Sequence, residues 1–432
     1  MSRESRRIRV PVLARVEGEG ALEIDIEGDR IARLQLRIYE PPRLFEKFLE
    51  GRAAHEVPDM VARICGICPV AYQMSAVSAI EAAFGHAPSP ALLAWRRLMY
   101  CGEWIESHAL HIHMLAAPDF LGFDSVLEMA RAHPEAVERG LRLQRLGNRI
   151  LEVLGGRSVH PVSVRPGGFS RLPDAADLAE LREACRSALA EARALVHWTA
   201  SLALPEDDQD FVCVALRHPE EYPMYGGRIV SSAGLDIAVE AFEDHFEERQ
   251  VPHSTALHSF LDGRPYLVGP LARLNLNLDR LPAPVAETLA ETGITFPSRN
   301  MFHSIVARAV EIQLALHEAL RILEALPARE PALAAPPASR AGTGFGATEA
   351  PRGILYHRYR FDDAGRVQEA RITPPTSQNQ ARMEEDARHA LECLGLDRPD
   401  DTLRFHAERV IRNYDPCISC ATHFLQLKVT RR

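Results

Sequence analysis

Lysine is almost missing from this chain: of 50 basic residues only Lys47 and Lys428 are lysines, a compositional bias to which no function is assigned. Basic residues are also outnumbered, 50 against 59 acidic, for a net charge of −9. The concentrated basic surface that phosphate neutralisation requires is therefore lacking, and a nucleic-acid partner is not expected. No run of about 18 apolar residues occurs, so no membrane span is expected. Near the N-terminus Arg6-Arg7 resembles a twin-arginine pair, but Arg9 and Pro11 stand where an apolar stretch should follow. No secretory signal is read there, and the chain is expected in the cytoplasm. Eight cysteines in 432 residues are too few for a disulfide scaffold. What is present, 46% hydrophobic and 25% charged residues, is an ordinary globular composition able to bury a core.

Periodicity gives the organisation. Residues 8–38 alternate apolar and polar, with a turn at Glu27-Gly28-Asp29, which predicts a small antiparallel β element. From 58 to about 115 the period moves towards 3.6, giving helices broken near 85–90; 135–154, 175–203 and 300–326 are strongly helical too. Glycine- and proline-rich loops are expected at 155–168 and 205–234, and a proline–alanine loop at 327–340. A hairpin is expected over 353–373, turning at Asp363-Ala364-Gly365, then a last helix over 378–394. The predicted fold is mainly α with small β elements (α+β), a long-helix bundle in one domain. Its parts are an N-terminal β element (1–57), a helical core (58–326), the loop (327–341), a C-terminal metal-binding part (342–423) and a tail (424–432).

Four cysteines are isolated, at 101, 185, 213 and 393, and are expected as small buried residues. The others form two C-x-x-C pairs, Arg63-Ile64-Cys65-Gly66-Ile67-Cys68-Pro69 and Asp415-Pro416-Cys417-Ile418-Ser419-Cys420-Ala421-Thr422-His423. This spacing turns both sulfurs of a pair towards one point, so two pairs can enclose one soft metal with four thiolates. A structural zinc staple is one reading, although zinc pairs usually stand ~15–20 residues apart and these lie at opposite ends of the chain. A thioredoxin-type dithiol at Cys65 and Cys68 is another, but the βαβ pattern it needs is missing.

With their flanks, the pairs resemble the large subunit of nickel–iron hydrogenases. The resemblance extends to Arg15-Val16-Glu17-Gly18, Gly155-Gly156-Arg157-Ser158-Val159-His160-Pro161, Pro166-Gly167-Gly168, Ala350-Pro351-Arg352-Gly353 and Pro375-Thr376-Ser377-Gln378-Asn379. It implies a nickel–iron centre with carbonyl and cyanide on the iron, Cys65 and Cys417 as terminal nickel ligands, and Cys68 and Cys420 as bridges. It implies heterolytic cleavage of dihydrogen, with Cys417 as the base and Glu17, in a dry pocket, as the proton relay. Arg352 would offset the negative charge of thiolates and cyanides, which burial makes costly. Pro375, Thr376 and Ser377 would lie against the iron's diatomic ligands, the two hydroxyls as donors. Glu46 and His423, with the backbone carbonyl of Ile372, would hold magnesium or another divalent ion.

The chain departs from the membrane-bound relatives at Ser107, where they carry an aspartate. His108, His111 and His113 on the same segment are read as core or partner contacts, since 108 and 111 share a helical face and 113 does not. Nine residues follow His423; the resemblance implies that a maturation endopeptidase removes them. No clustered cysteines remain for an iron–sulfur cluster, and Gly342-Thr343-Gly344-Phe345-Gly346 is not a nucleotide fingerprint. An iron–sulfur small subunit is therefore expected, with diaphorase-type flavin/NAD(P) and ferredoxin-like subunits, as in the cytoplasmic bidirectional and sulfhydrogenase group. Coupling to a deazaflavin or a heterodisulfide is the alternative within the enzyme class. A zinc-stapled subunit, or a complex I-like one (whose relatives lack the cysteines), is the non-catalytic alternative.

Overall fold

Alternation builds the first sheet. In the computed structural model, which describes residues 5–325 and 335–422, β1 (Ser5–Val10), β2 (Gly20–Glu27) and β3 (Arg30–Ile38) pair antiparallel in that order. Ile8, Ile24 and Leu34 stand in register on its buried face. The turn falls as predicted, with Gly28 at φ 64 supplying the left-handed conformation.

The helices start and stop where local chemistry directs. α1 (Pro69–Phe84) opens on a proline directly after Cys68 and ends at Gly85, φ 68. α2 (Pro90–Leu110) is capped by Ser89, whose hydroxyl accepts from Leu92 N at 3.2 Å. It runs on through a wider π turn, His111–Ala116. α3 (Pro134–Gly155), α4 (Ala175–Ala200) and α5 (Ser304–Ala325) complete the bundle, with α2 against α3 and α5, and α5 against α4. α2 and α3 meet backbone to backbone: a Cβ on Gly147 would stand 2.5 Å from Gly102 O and 2.6 Å from Glu106 N.

Four expectations need correction. The stretches expected as loops carry short strands, Val164–Arg165 with Gly168–Phe169, and Val214–Arg217 with Arg228–Ser231 and Asp236–Ile237; runs this short show no period of their own. A hairpin, β4 (Phe246–Gln250) and β5 (Leu257–Leu261), follows them. The C-terminal hairpin is a three-stranded sheet, β6 (Gly342–Ala350), β7 (Gly353–Phe361) and β8 (Val367–Thr373). β6 escaped notice because its glycines lack β propensity; at Gly344 and Gly346 the strand lies on the backbone of α1, where no side chain fits. α6 (Pro375–Leu394) starts earlier than predicted, with Pro375 in its first turn. α7 (Asp400–Asn413) was masked by its charge and buries Leu403, Ala407, Val410 and Ile411.

Two apolar cores matter for the site. One fills the bundle and includes the four paired cysteines. The other lies between the N-terminal sheet and α6 and α7, joining Ile24 and Leu36 to Met383 and Leu403. Among the described residues, no helix is long and apolar enough to cross a membrane.

Candidate metal centre

Cys65 follows one turn of 3-10 helix in extended conformation, and Cys68 immediately precedes α1. Cys417 caps the short helical turn Ile418–Ala421, and Cys420 lies within it. The two segments are sewn together from the N-terminal side. Glu17 and Cys417 form a parallel bridge, with Ile418 N donating to Glu17 O at 3.0 Å. The Arg43 side chain donates to Ile64 O at 2.6 Å and also to Ser419 O.

The result is a buried set of four sulfurs within 4.8 Å of one another. Cys65 and Cys417 are 3.4 Å apart, Cys68 and Cys420 3.5 Å, and Cys417 and Cys420 2.9 Å. Hydrogen bonds from the neighbouring thiols, with the charge of Arg352, hold the Cys65 thiol well below its ordinary value. Cys417 is pushed well up by hydrogen-bonding to Cys420 and Cys65, and Cys420 is raised chiefly by burial. Four such thiols give up their protons together only to a cation, and an all-sulfur donor set suits a soft transition metal. Nearby, Thr376 Oγ1 accepts from Cys417 N at 3.0 Å, while the buried Ser377 Oγ has no partner among the described residues. An orphaned hydroxyl one residue after the Cys417 contact leaves a donor that fits a metal group carrying hydrogen-bond acceptors of its own. Pro375 is buried in the same helical turn.

The counter-charge is layered. Arg352 lies in the turn between β6 and β7, its Nε donating to Asp415 O at 2.7 Å and its Nη2 to Asp415 Oδ1 at 3.0 Å. Burial lowers this guanidinium, but Asp415 and the cysteine sulfurs outweigh it and hold it well above its ordinary value. Its Nη1 reaches Ser107 Oγ at 3.4 Å, which brings the departing position to the site. On the far side Arg308 approaches Asp415 Oδ2 at 3.3 Å. A buried chain then runs on through His108, Glu311 and Arg273 to Glu349. Asp415 and Arg308 were missed by sequence reasoning; Asp415 was visible, two residues before Cys417 in its motif, whereas nothing local marked Arg308.

The remaining expected residues divide. Glu17 Oε2 lies 3.1 Å from Cys417 Sγ and accepts from Ser419 N at 3.0 Å. It is half-buried, not sealed in a dry pocket. Glu46 accepts from the Ile372 amide at 2.7 Å, so these two are neighbours. His423 and the tail lie outside the described residues. The three histidines are buried and go to separate partners: His108 to Glu311, His111 to Arg412 O, and His113 to Ala109 O with its ring stacked on Trp198. Cys101, Cys185 and Cys213 are buried as expected, but Cys393 is exposed, because it falls on the outer face of α6.

Comparison with known proteins agrees with this geometry. A family model described as nickel-dependent hydrogenase matches residues 43–140 and 258–423, which include both cysteine pairs. The alpha subunit of sulfhydrogenase 1 from Pyrococcus furiosus is 34% identical, over 97% of this chain and 98% of the relative. The beta subunit of the NAD-reducing hydrogenase HoxS from Cupriavidus necator is 28% identical, over 98% of this chain and 95% of the relative. A crystal structure of an NAD+-reducing NiFe-hydrogenase in the H2-reduced state superposes with a TM-score of 0.84 at 28% identity, covering 97% of this chain and 99% of that one.

Proposed function

We propose, for a chain that belongs to the nickel-dependent hydrogenase family and is the large catalytic subunit of a nickel–iron hydrogenase, that Cys65, Cys68, Cys417 and Cys420 hold the nickel–iron centre and that its electrons pass to NAD(P). The observation that carries the first part is the convergence of four buried sulfurs from the two ends of the chain. Within that set Cys68 and Cys420 are assigned as the bridging pair and Cys65 and Cys417 as the terminal ligands, an assignment that rests on the motif positions. When bound, the centre, with carbonyl and cyanide on its iron, supplies heterolytic cleavage of dihydrogen.

The chain's own residues manage protons and charge. Cys417 Sγ holds the proton, and Glu17 Oε2, 3.1 Å away, accepts it and passes it outward from its half-buried position. Arg352, pinned by Asp415, offsets the negative site in a region water does not reach. Thr376 and Ser377, in the first turn of α6 beside Pro375, would supply hydroxyl donors to the diatomic ligands. Magnesium is assigned to Glu46, the Ile372 carbonyl and His423, a reading supported by the Glu46–Ile372 contact.

The names of the relatives support the partners. One relative is NAD-reducing and another is the alpha subunit of a sulfhydrogenase. We assign to this chain an iron–sulfur small subunit, diaphorase-type flavin/NAD(P) and ferredoxin-like subunits, a cytoplasmic location, and an endopeptidase that cuts after His423. The test is elemental analysis and infrared spectroscopy of the purified complex, followed by dihydrogen-dependent reduction of NAD(P). One nickel and one iron per chain with carbonyl and cyanide bands is the expected result; zinc alone with no such bands sinks it. A complex that reduces only a deazaflavin or a heterodisulfide refutes the NAD(P) assignment. Glu17→Gln should keep the metals and bands while slowing turnover by roughly 10²–10⁴, the usual worth of a positioned acid–base group; an unchanged rate removes Glu17 from the relay.

A further inference from the structure

Only one other group of metal-ligating side chains comes together among the described residues, and it uses none of the residues discussed above. His253 lies in the loop joining β4 to β5, His258 is the second residue of β5, and Glu384 stands midway along α6. One ring nitrogen of each histidine and a carboxylate oxygen of Glu384 lie within 4.8 Å of one another. His253 Nε2 is 2.8 Å from Glu384 Oε1, and the two imidazoles meet edge to face with centroids 5.5 Å apart at 89°.

A histidine–carboxylate hydrogen bond beside a packed ring accounts for part of this. It does not account for His258. That residue is 3% exposed, and its Nε2 is buried with no hydrogen-bond partner among the described residues. An imidazole nitrogen left so is costly unless something binds it. The surroundings are built to hold the three ligands still. Leu36 N in β3 donates to Glu384 Oε1 at 2.8 Å, orienting the carboxylate as supporting hydrogen bonds do in metal sites. The loop is anchored by Thr255, whose amide donates to Ile38 O at 2.8 Å and whose hydroxyl donates to Glu40 O at 2.9 Å. His253 lines an open groove beside Tyr39 and Gln250, so solvent reaches the cluster at this ligand.

We propose that His253, His258 and Glu384 form a second metal site, for a divalent ion of the zinc class, with water from the groove as its fourth ligand. Two imidazoles and one carboxylate, with a position left to solvent, are a donor set that zinc accepts readily, and the absence of sulfur separates its preference from that of the cysteine centre. The ion ties three elements together: the N-terminal sheet through Leu36, the β4–β5 hairpin, and α6. Glu384 is about 12 Å along α6 from Thr376 at the helical rise of ~1.5 Å per residue, so the ion secures the helix whose first turn abuts Cys417. The site stands on its own ligands and does not depend on what the cysteines bind.

The experiment uses the nickel- and iron-loaded complex, so that the cysteines are already filled. It is freed of loose metal by brief chelation, equilibrated with micromolar zinc, passed through a desalting column and analysed for metals. The expected result is one zinc per chain beyond nickel and iron, with affinity reduced at least tenfold in His258→Gln and in His253→Gln. The thermal midpoint should rise with zinc in the parent and not in the variants. His253 is half-buried in a loop, so its variant keeps the test open if His258→Gln fails to fold, and unchanged nickel and iron report an intact chain. Failure of the parent to retain zinc, or equal retention by parent and variants, overturns the proposal.

Discussion

Asp415 shows how much a single side chain can organise. It sits at φ 56, a conformation non-glycine residues seldom adopt, and its carboxylate is shared between Arg352 and Arg308. Burial would raise this carboxyl, but the charges of Arg352 and Arg308 outweigh it and hold the group below its ordinary value. Arg352 is therefore fixed by two hydrogen bonds to one residue, from Nε and from Nη2. A lysine has the charge without the fork. Arg352→Lys should retain nickel and iron and lose roughly tenfold or more in turnover, the equivalent of ~1.5 kcal/mol for one lost charge-assisted hydrogen bond. Metal analysis beside a dihydrogen-uptake assay checks this, and undiminished turnover would show that charge alone suffices.

Among the elements, α2 carries the heaviest structural duty. It presents Ser107 to Arg352, gives His108 to the buried ion chain, and lends Glu103 to α1. The Glu103 carboxyl accepts from Val70 N at 2.7 Å and Ala71 N at 3.1 Å, capping the helix that Cys68 precedes. Burial raises this carboxyl well above its ordinary value. The approach of α3 to α2 depends on Gly147, where an added methyl meets backbone atoms that cannot rotate aside. Gly147→Ala should cost about 1–3 kcal/mol through overpacking. The thermal midpoint should fall while metal content per folded chain stays unchanged; an unaltered midpoint would mean that the two helices separate freely.

At the scale of the whole molecule, burial of histidines sets the response to acid. Burial lowers His108 to about 4, His111 to about 3 and His113 to about 3, from an ordinary 6.5. Each is neutral when folded and free to charge when unfolded, so the unfolded chain binds more protons below 6.5. Stability is accordingly complete above pH 6.5 and is lost as pH falls from there towards 4 and 3. His113 is remote from the cysteines in its contacts, which makes it the clean reporter. His113→Gln should flatten the dependence of unfolding free energy on pH between 6.5 and 4 by about 1.4 kcal/mol per unit, one proton's worth. Urea midpoints measured across that range decide it, and an unchanged slope would show that His113 titrates alike in both states.

Local chemistry was enough to read the long helices, the first sheet and the two cysteine pairs. Period, caps and ligand spacing act over a few residues, and each left its mark in the chain. The family also was legible, because both pairs carry their flanking residues with them. Other features arise only when distant segments meet. β6 is a strand because α1 offers it a flat backbone, not because its glycines favour one. Arg308 matters because folding sets it opposite Asp415, and His253, His258 and Glu384 come from a loop, a strand and a helix that no sequence spacing relates. Glu17 was expected out of water; the fold leaves it half-buried at the edge of the site. Burial and long-range contact are properties of packing, so charge compensation, proton routing and the second cluster of ligands were decided by the tertiary structure.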